Sequence, residues 1–203
     1  MREICNFCVV FCYLLINSSR TLGNLKGLDQ SILNIIGASF GFVNAGSRVT
    51  SGYLLDRYGF QKIMSVITIV ELLVSVTVYL AANSSIFYLI ENALVAFSLG
   101  ATFTLIPPYY DKTFGRKQGL KIYAISGVSA GVCSIVGSLM IKYLVKNLTD
   151  YLIIFLISAI FIVVQAITLL FLNDGKYLYK KNVTNFVFKY NKDTVFKPTI
   201  NNK

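Results

Sequence analysis

Long apolar stretches alternate with short polar breaks along most of the chain, and the stretches are of one length class. An α-helix rising 1.5 Å per residue needs about 20 mainly apolar residues to cross a bilayer. Six runs meet that requirement, at residues 3–19, 31–55, 61–82, 86–108, 119–143 and 149–172. Glycine and serine recur inside the fifth run, as they do where helices pack closely in lipid. The pattern predicts an all-α integral membrane domain over residues 1–172. A basic tail follows, residues 173–203, rich in Lys, Asn, Tyr and Phe and without another long apolar run. It is expected to be a flexible cytoplasmic extension resting on anionic lipid. Arg2 before the first run and Ser18 and Ser19 after it also fit a signal peptide. The regular recurrence of later runs makes a first membrane span the simpler reading.

Composition agrees with this pattern. Of the 203 residues, 55% are hydrophobic and the mean hydropathy is +0.65, high for a water-soluble domain. Nineteen Lys and Arg stand against nine Asp and Glu, but the basic residues fall in the short breaks, where they set topology rather than bind nucleic acid. Fourteen lie on the side of the N-terminus, including Arg57, Lys62, the Lys112–Lys121 group and the tail lysines. Four lie on the other side: Arg20, Lys26, Lys142 and Lys146. This asymmetry predicts that both termini are cytoplasmic. Arg48 remains, alone inside a span.

Cys5, Cys8 and Cys12 share a helix face and read as small packing residues rather than a metal or cluster site. Cys133 stands apart, so no disulfide framework is indicated. Asn17, Asn83, Asn147 and Asn182 each head an N-x-[ST] sequence, read as chance matches because the outer three lie too close to the bilayer. With no histidine, no phosphate loop and no nucleophile beside a base, neither an enzyme nor a cofactor or metal site is expected.

The break between the second and third runs is very short and reads Gly52, Asp56, Arg57, Gly59. Glycine allows helix ends to approach, Asp56 offers a carboxylate near a helix terminus, and Arg57 and Lys62 anchor the edge. These residues resemble the G-x-x-x-D-R-x-G-R-[KR] signature of the major facilitator superfamily, with Phe60 and Gln61 at the positions that are usually basic. Residues 100–132 resemble the region of spans ten and eleven in oxalate/formate and monocarboxylate transporters, through Gly100, Pro107, Phe114, Gly115, Gly127 and Gly131. Together the resemblances imply the C-terminal six-helix half of such a transporter, built as a 3+3 inverted repeat. Its partner would be an N-terminal six-span half or a second copy, and the chain a fragment or a half-sized protein.

In monocarboxylate transporters the eighth span carries an acid, an arginine and a glycine at four-residue spacing. The corresponding residues here are Asn44, Arg48 and Gly52. The resemblance implies that Arg48 and Asn44 contact the substrate carboxylate, while the missing acid weakens proton coupling at that position. Physical chemistry points the same way. Arg48 lies about 12 Å before Asp56 along a helix, inside the hydrocarbon zone, where an arginine marks a binding or coupling role. The competing reading is snorkelling to headgroups.

Glu71 and Glu91 lie within the third and fourth spans. The resemblance makes the third span peripheral and the fourth cavity-lining, which favours Glu91, beside Asn92, as the proton-coupling residue. Tyr109 and Tyr110 near a span end are expected to be interfacial anchors, and Gly127, Gly131, Ser134 and Ser138 a close-packing face. The function implied is secondary transport of a small organic anion such as a monocarboxylate. The span expected to hold a lysine in oxalate-type members has only Lys121 at its start, so a singly charged carboxylate is preferred to oxalate. The alternatives are another solute class, such as a sugar, amino acid or drug, or a non-transporting membrane interaction or regulatory protein.

Overall fold

The computed structural model describes residues 2–145 and 147–171. Among these residues are six helices: α1 (Arg2–Leu25), α2 (Gln30–Tyr58), α3 (Phe60–Ala81), α4 (Ser85–Phe114), α5 (Arg116–Leu144) and α6 (Leu148–Leu170). Each apolar run coincides with one helix. Among the described residues, α3, α4, α5 and α6 are long and apolar enough to cross a membrane. The tail and the side chains of Cys5, Cys8 and Cys133 lie outside the described residues.

Local chemistry sets the helix ends. Asp29 caps α2: its carboxylate accepts the Ser31 hydroxyl at 2.6 Å and the Ser31 N–H at 3.4 Å. These bonds hold its carboxyl below the usual range. At the start of α6, the Asn147 N–H donates to the Asp150 carboxylate at 2.9 Å, so the Asn-Leu-Thr-Asp sequence serves a helix start. Asn83 accepts from Lys26 at 3.1 Å, and Asn17 donates to Ser138 at 2.7 Å. All three outer N-x-[ST] asparagines thus have partners within the chain.

Single glycines join α2 to α3 and α4 to α5. Gly59 has φ 83° and ψ 165°, and Gly115 has φ 78° and ψ 153°, a region essentially reserved for glycine. A Cβ on Gly115 would meet nothing within 4 Å, so substitution there tests the backbone alone. Gly115→Ala is expected to lower stability by about 1–3 kcal/mol. Thermal unfolding followed by circular dichroism in detergent checks this; an unchanged midpoint would show that the strain is relieved elsewhere.

The two glycines lie at one end of the bundle. There the ring of Phe60, opening α3, stacks on Tyr109 at 4.0 Å, and the Gln61 amide donates to the Leu169 carbonyl at 3.2 Å. At the other end, Lys26 ties the α1–α2 turn to Asn83 in the α3–α4 turn and lies 3.9 Å from the centre of the Tyr79 ring.

The centre is α4, which packs against α1, α2, α3 and α5 and is the most buried of the four apolar helices. Its Tyr88 is fully buried and donates to the Ser19 carbonyl of α1 at 2.7 Å. The other main pairings are α1 with α5, α3 with α6 and α1 with α6. Between α3 and α6 runs a polar seam: the fully buried Gln165 donates to Thr68 at 2.9 Å. Pro107 and Pro108 lie inside α4 and withdraw two N–H donors from its ladder, yet the helix continues to Phe114.

One expectation is corrected here. Tyr109 and Tyr110 are buried, because α4 runs past them to Phe114, and the Tyr109 ring lies against Phe60 of α3 rather than at an interface. Of the small-residue stripe on α5, Ser138 meets Asn17 of α1, while Gly127 and Gly131 have nothing of the described residues within 4 Å of a Cβ. The glycine of α5 in contact with α1 is Gly137, where a Cβ would lie 2.9 Å from Leu14.

Candidate functional site

The most extensive helix pairing is that of α2 with α4, and small residues make it possible. Ser47 and Ser51 are buried on α2, with their hydroxyls donating to carbonyls of their own helix, Asn44 at 2.7 Å and Arg48 at 3.3 Å. Opposite them is Gly100, where a Cβ would collide with the Ser47 hydroxyl and the Asn44 carbonyl oxygen. The helix backbones therefore approach as closely as glycine permits.

Asn44 sits at this crossing and links both sides of it. Its amide donates to the Ala96 carbonyl of α4 at 3.5 Å, and its own oxygen accepts from Arg48 Nε at 3.2 Å. Sequence spacing placed Asn44 and Arg48 on one stripe; the structure makes them a bonded pair. The Arg48 guanidinium carbon lies 6.0 Å from the centre of the Phe103 ring, at the outer edge of cation–π range. Arg48 is exposed. Its terminal nitrogens have no acceptor among the described residues, so the edge of the guanidinium, whose in-plane N–H donors suit a carboxylate, is open.

Glu91 is on the other side of α4. Its Oε1 accepts the Thr77 hydroxyl of α3 at 2.6 Å, while Oε2 is buried without a hydrogen-bond partner. The structure thus does not bring Glu91 to Arg48. Its neighbour Asn92 is buried and faces differently, lining a cleft with residues of α1 and α2. Glu71 is buried to 1% exposure on α3, where the Cys12 thiol donates to it at 3.5 Å.

In the short α2–α3 segment, Asp56 and Arg57 are exposed. Arg57 reaches the Tyr53 hydroxyl at 3.5 Å and lies 5.6 Å from the centre of the Tyr58 ring. Gly52 touches Thr104 of α4 loosely: a Cβ would lie 3.7 Å from its methyl group. Gly59 supplies the turn. These four residues form a hairpin edge apart from the Asn44–Arg48 pair.

Sequence reasoning missed Arg20, counted only as a topology charge. Its Nη2 donates to the side-chain amide oxygens of Gln30, at 3.5 Å, and Asn34, at 3.4 Å. The available signal was the shortness of the break after residue 25, which forces the end of α1 against the start of α2.

These features define a class first, a polytopic helical membrane protein with an amide-held cation where two helices cross. The chain belongs to the Major Facilitator Superfamily, whose family profile matches residues 3–190. Members of that superfamily are membrane transporters, not enzymes. Comparison with curated proteins returns no match.

Proposed function

We infer that the protein carries a small organic anion, a monocarboxylate, across a membrane by alternating access. The observation that carries this reading is the Arg48 guanidinium, fixed at Nε by Asn44 with its terminal nitrogens open. Binding to Asn44, four residues back, turns the side chain toward the start of α2 and away from the Gly59 junction. That direction argues against snorkelling to headgroups at that end.

In this reading α1 and α2 cross the membrane as α3 to α6 do, with both termini cytoplasmic. The six helices correspond to the C-terminal half of a superfamily transporter. Exchanging α1 with α4, α2 with α5 and α3 with α6 turns the α2–α4 pairing into α1–α5 and the α3–α4 pairing into α1–α6. Both are main contacts and support a 3+3 inverted repeat, although the extensive α4–α5 pairing becomes the slight α1–α2 contact, so the likeness of the two triplets is partial. The open glycines Gly37 and Gly41 on α2 and Gly127 and Gly131 on α5 favour coverage by an N-terminal half or a second copy.

Glu91 is the proton-coupling residue of this scheme, since its buried, unbonded Oε2 is suited to hold a proton. The test uses proteoliposomes of the natural polypeptide preloaded with unlabelled L-lactate. Accumulation of labelled lactate above empty liposomes is expected, and a null result alongside exchange of a sugar or amino acid would reject the anion assignment. Glu91→Gln is expected to abolish uptake driven by a pH gradient while leaving lactate exchange intact. Undiminished gradient-driven uptake would remove Glu91 from coupling.

A further inference from the structure

We propose that the cleft between α1, α2 and α4, at the end of the bundle away from the glycine hinges, is a second anion site in which Arg20 receives a solute carboxylate. The ligand class rests on the function proposed above; the site itself rests on different residues. The cleft encloses about 430 Å³, within the range of small-molecule sites. Leu33 and Phe40 belong to its apolar lining, and Ser19, Arg20, Asn34 and Asn92 bring polar groups.

Among the described residues no carboxylate meets Arg20, which is exposed at the rim of this cleft. No acidic residue is among its lining residues. Asp29, in the adjoining turn, directs its carboxylate to Ser31. Arg20 meets two neutral amide oxygens through one nitrogen, both at long distance. A guanidinium carries five N–H donors, and among the described residues Arg20 Nε and Nη1 have no acceptor. Asn92 is buried in the lining and uses one N–H on the Tyr88 carbonyl at 2.8 Å.

Arg20 and Arg48 are built alike. Each leans on an asparagine of α2, Asn34 or Asn44, rather than on a carboxylate. Those asparagines are about 15 Å apart along the helix. A carboxylate arriving at the non-hinge end meets the first arginine in a cleft whose apolar surface accepts a short hydrocarbon tail. The second arginine lies further along the same helix.

The experiment reads each arginine separately. The protein in phosphatidylcholine nanodiscs is treated with phenylglyoxal, and adducts are quantified by peptide mass spectrometry with and without L-lactate, at ionic strength matched with chloride. Lactate at twice its dissociation constant is expected to slow modification of Arg20 about threefold by mass action. Arg57, exposed at the hinge end, should react unchanged. The protection of Arg20 should persist in Arg48→Gln. Equal Arg20 rates with and without lactate would overturn the proposal, as would loss of protection in Arg48→Gln, which would mean a single site. Protection by added phosphatidylglycerol but not by lactate would also overturn it, in favour of a lipid headgroup. If Arg20 is protected while Arg48 in the unmodified protein is not, the second site stands and the assignment of Arg48 falls.

Discussion

Arg48→Ala is expected to abolish carboxylate transport while the protein still reaches the membrane and folds. The two halves of this expectation come from different parts of the structure. Arg48 is exposed, and its contacts are Asn44 and the edge of cation–π range to Phe103, so its removal leaves no cavity in the core. Truncating one partner of a charge-assisted, two-point contact costs about 2–3 kcal/mol, roughly a 30- to 150-fold loss of affinity. Arg48→Lys keeps the charge but loses the planar fork and the Nε bond to Asn44, and should recover only a small part of uptake. Surface labelling measures delivery and labelled-lactate uptake measures function. Normal uptake by Arg48→Ala would remove the arginine from the mechanism.

The second large effect is expected at Gly100. In an exposed or loosely packed helix, Gly→Ala stabilises by about 1 kcal/mol through propensity. At Gly100 the new Cβ would strike the Ser47 hydroxyl and the Asn44 carbonyl oxygen. The hydroxyl can rotate away, whereas the carbonyl belongs to the backbone of α2 and moves only with the helix. Overpacking of this kind costs about 1–3 kcal/mol, so a net loss of stability is expected. It should be accompanied by loss of uptake, because Asn44 holds both Ala96 of α4 and Arg48. Gly52→Ala is the control. Its Cβ would rest 3.7 Å from a Thr104 methyl group, ordinary contact, and its melting temperature should hold or rise slightly. If both variants melt alike, Gly100 does not set the α2–α4 distance.

How much of this was readable in the chain follows from what each feature depends on. Hydropathy located all six helices, but α2 continues from the predicted end at residue 55 to Tyr58. A charged Asp-Arg pair ends an apolar run without ending a helix; the positive φ of Gly59 does that. The shared stripe of Asn44 and Arg48 was legible because residues four apart on one helix share a face, though the bond between them was not. The bond from Thr77 to Glu91, the lean of Arg20 on Asn34 and the crossing at Gly100 were not, because they depend on which helix faces meet. Tyr109 and Tyr110 were misread for a related reason. Position near the end of an apolar run suggested an interface, whereas α4 extends beyond them and Phe60 of α3 covers one of the rings.

The single-glycine junctions also set where the bundle has slack. Gly59 pins α2 to α3 and Gly115 pins α4 to α5, and a single intervening residue keeps the joined ends a few ångströms apart. At the opposite end the connections are longer: residues 26–29 join α1 to α2 and residues 82–84 join α3 to α4. The α2–α3 and α4–α5 pairs are therefore held closest at the glycine end. Any splaying of either pair would part its helices least at the glycine and most at the far tips, so the Lys26–Asn83 bond between the two turns there is the tie that limits it, at the end of Arg20 rather than of Asp56.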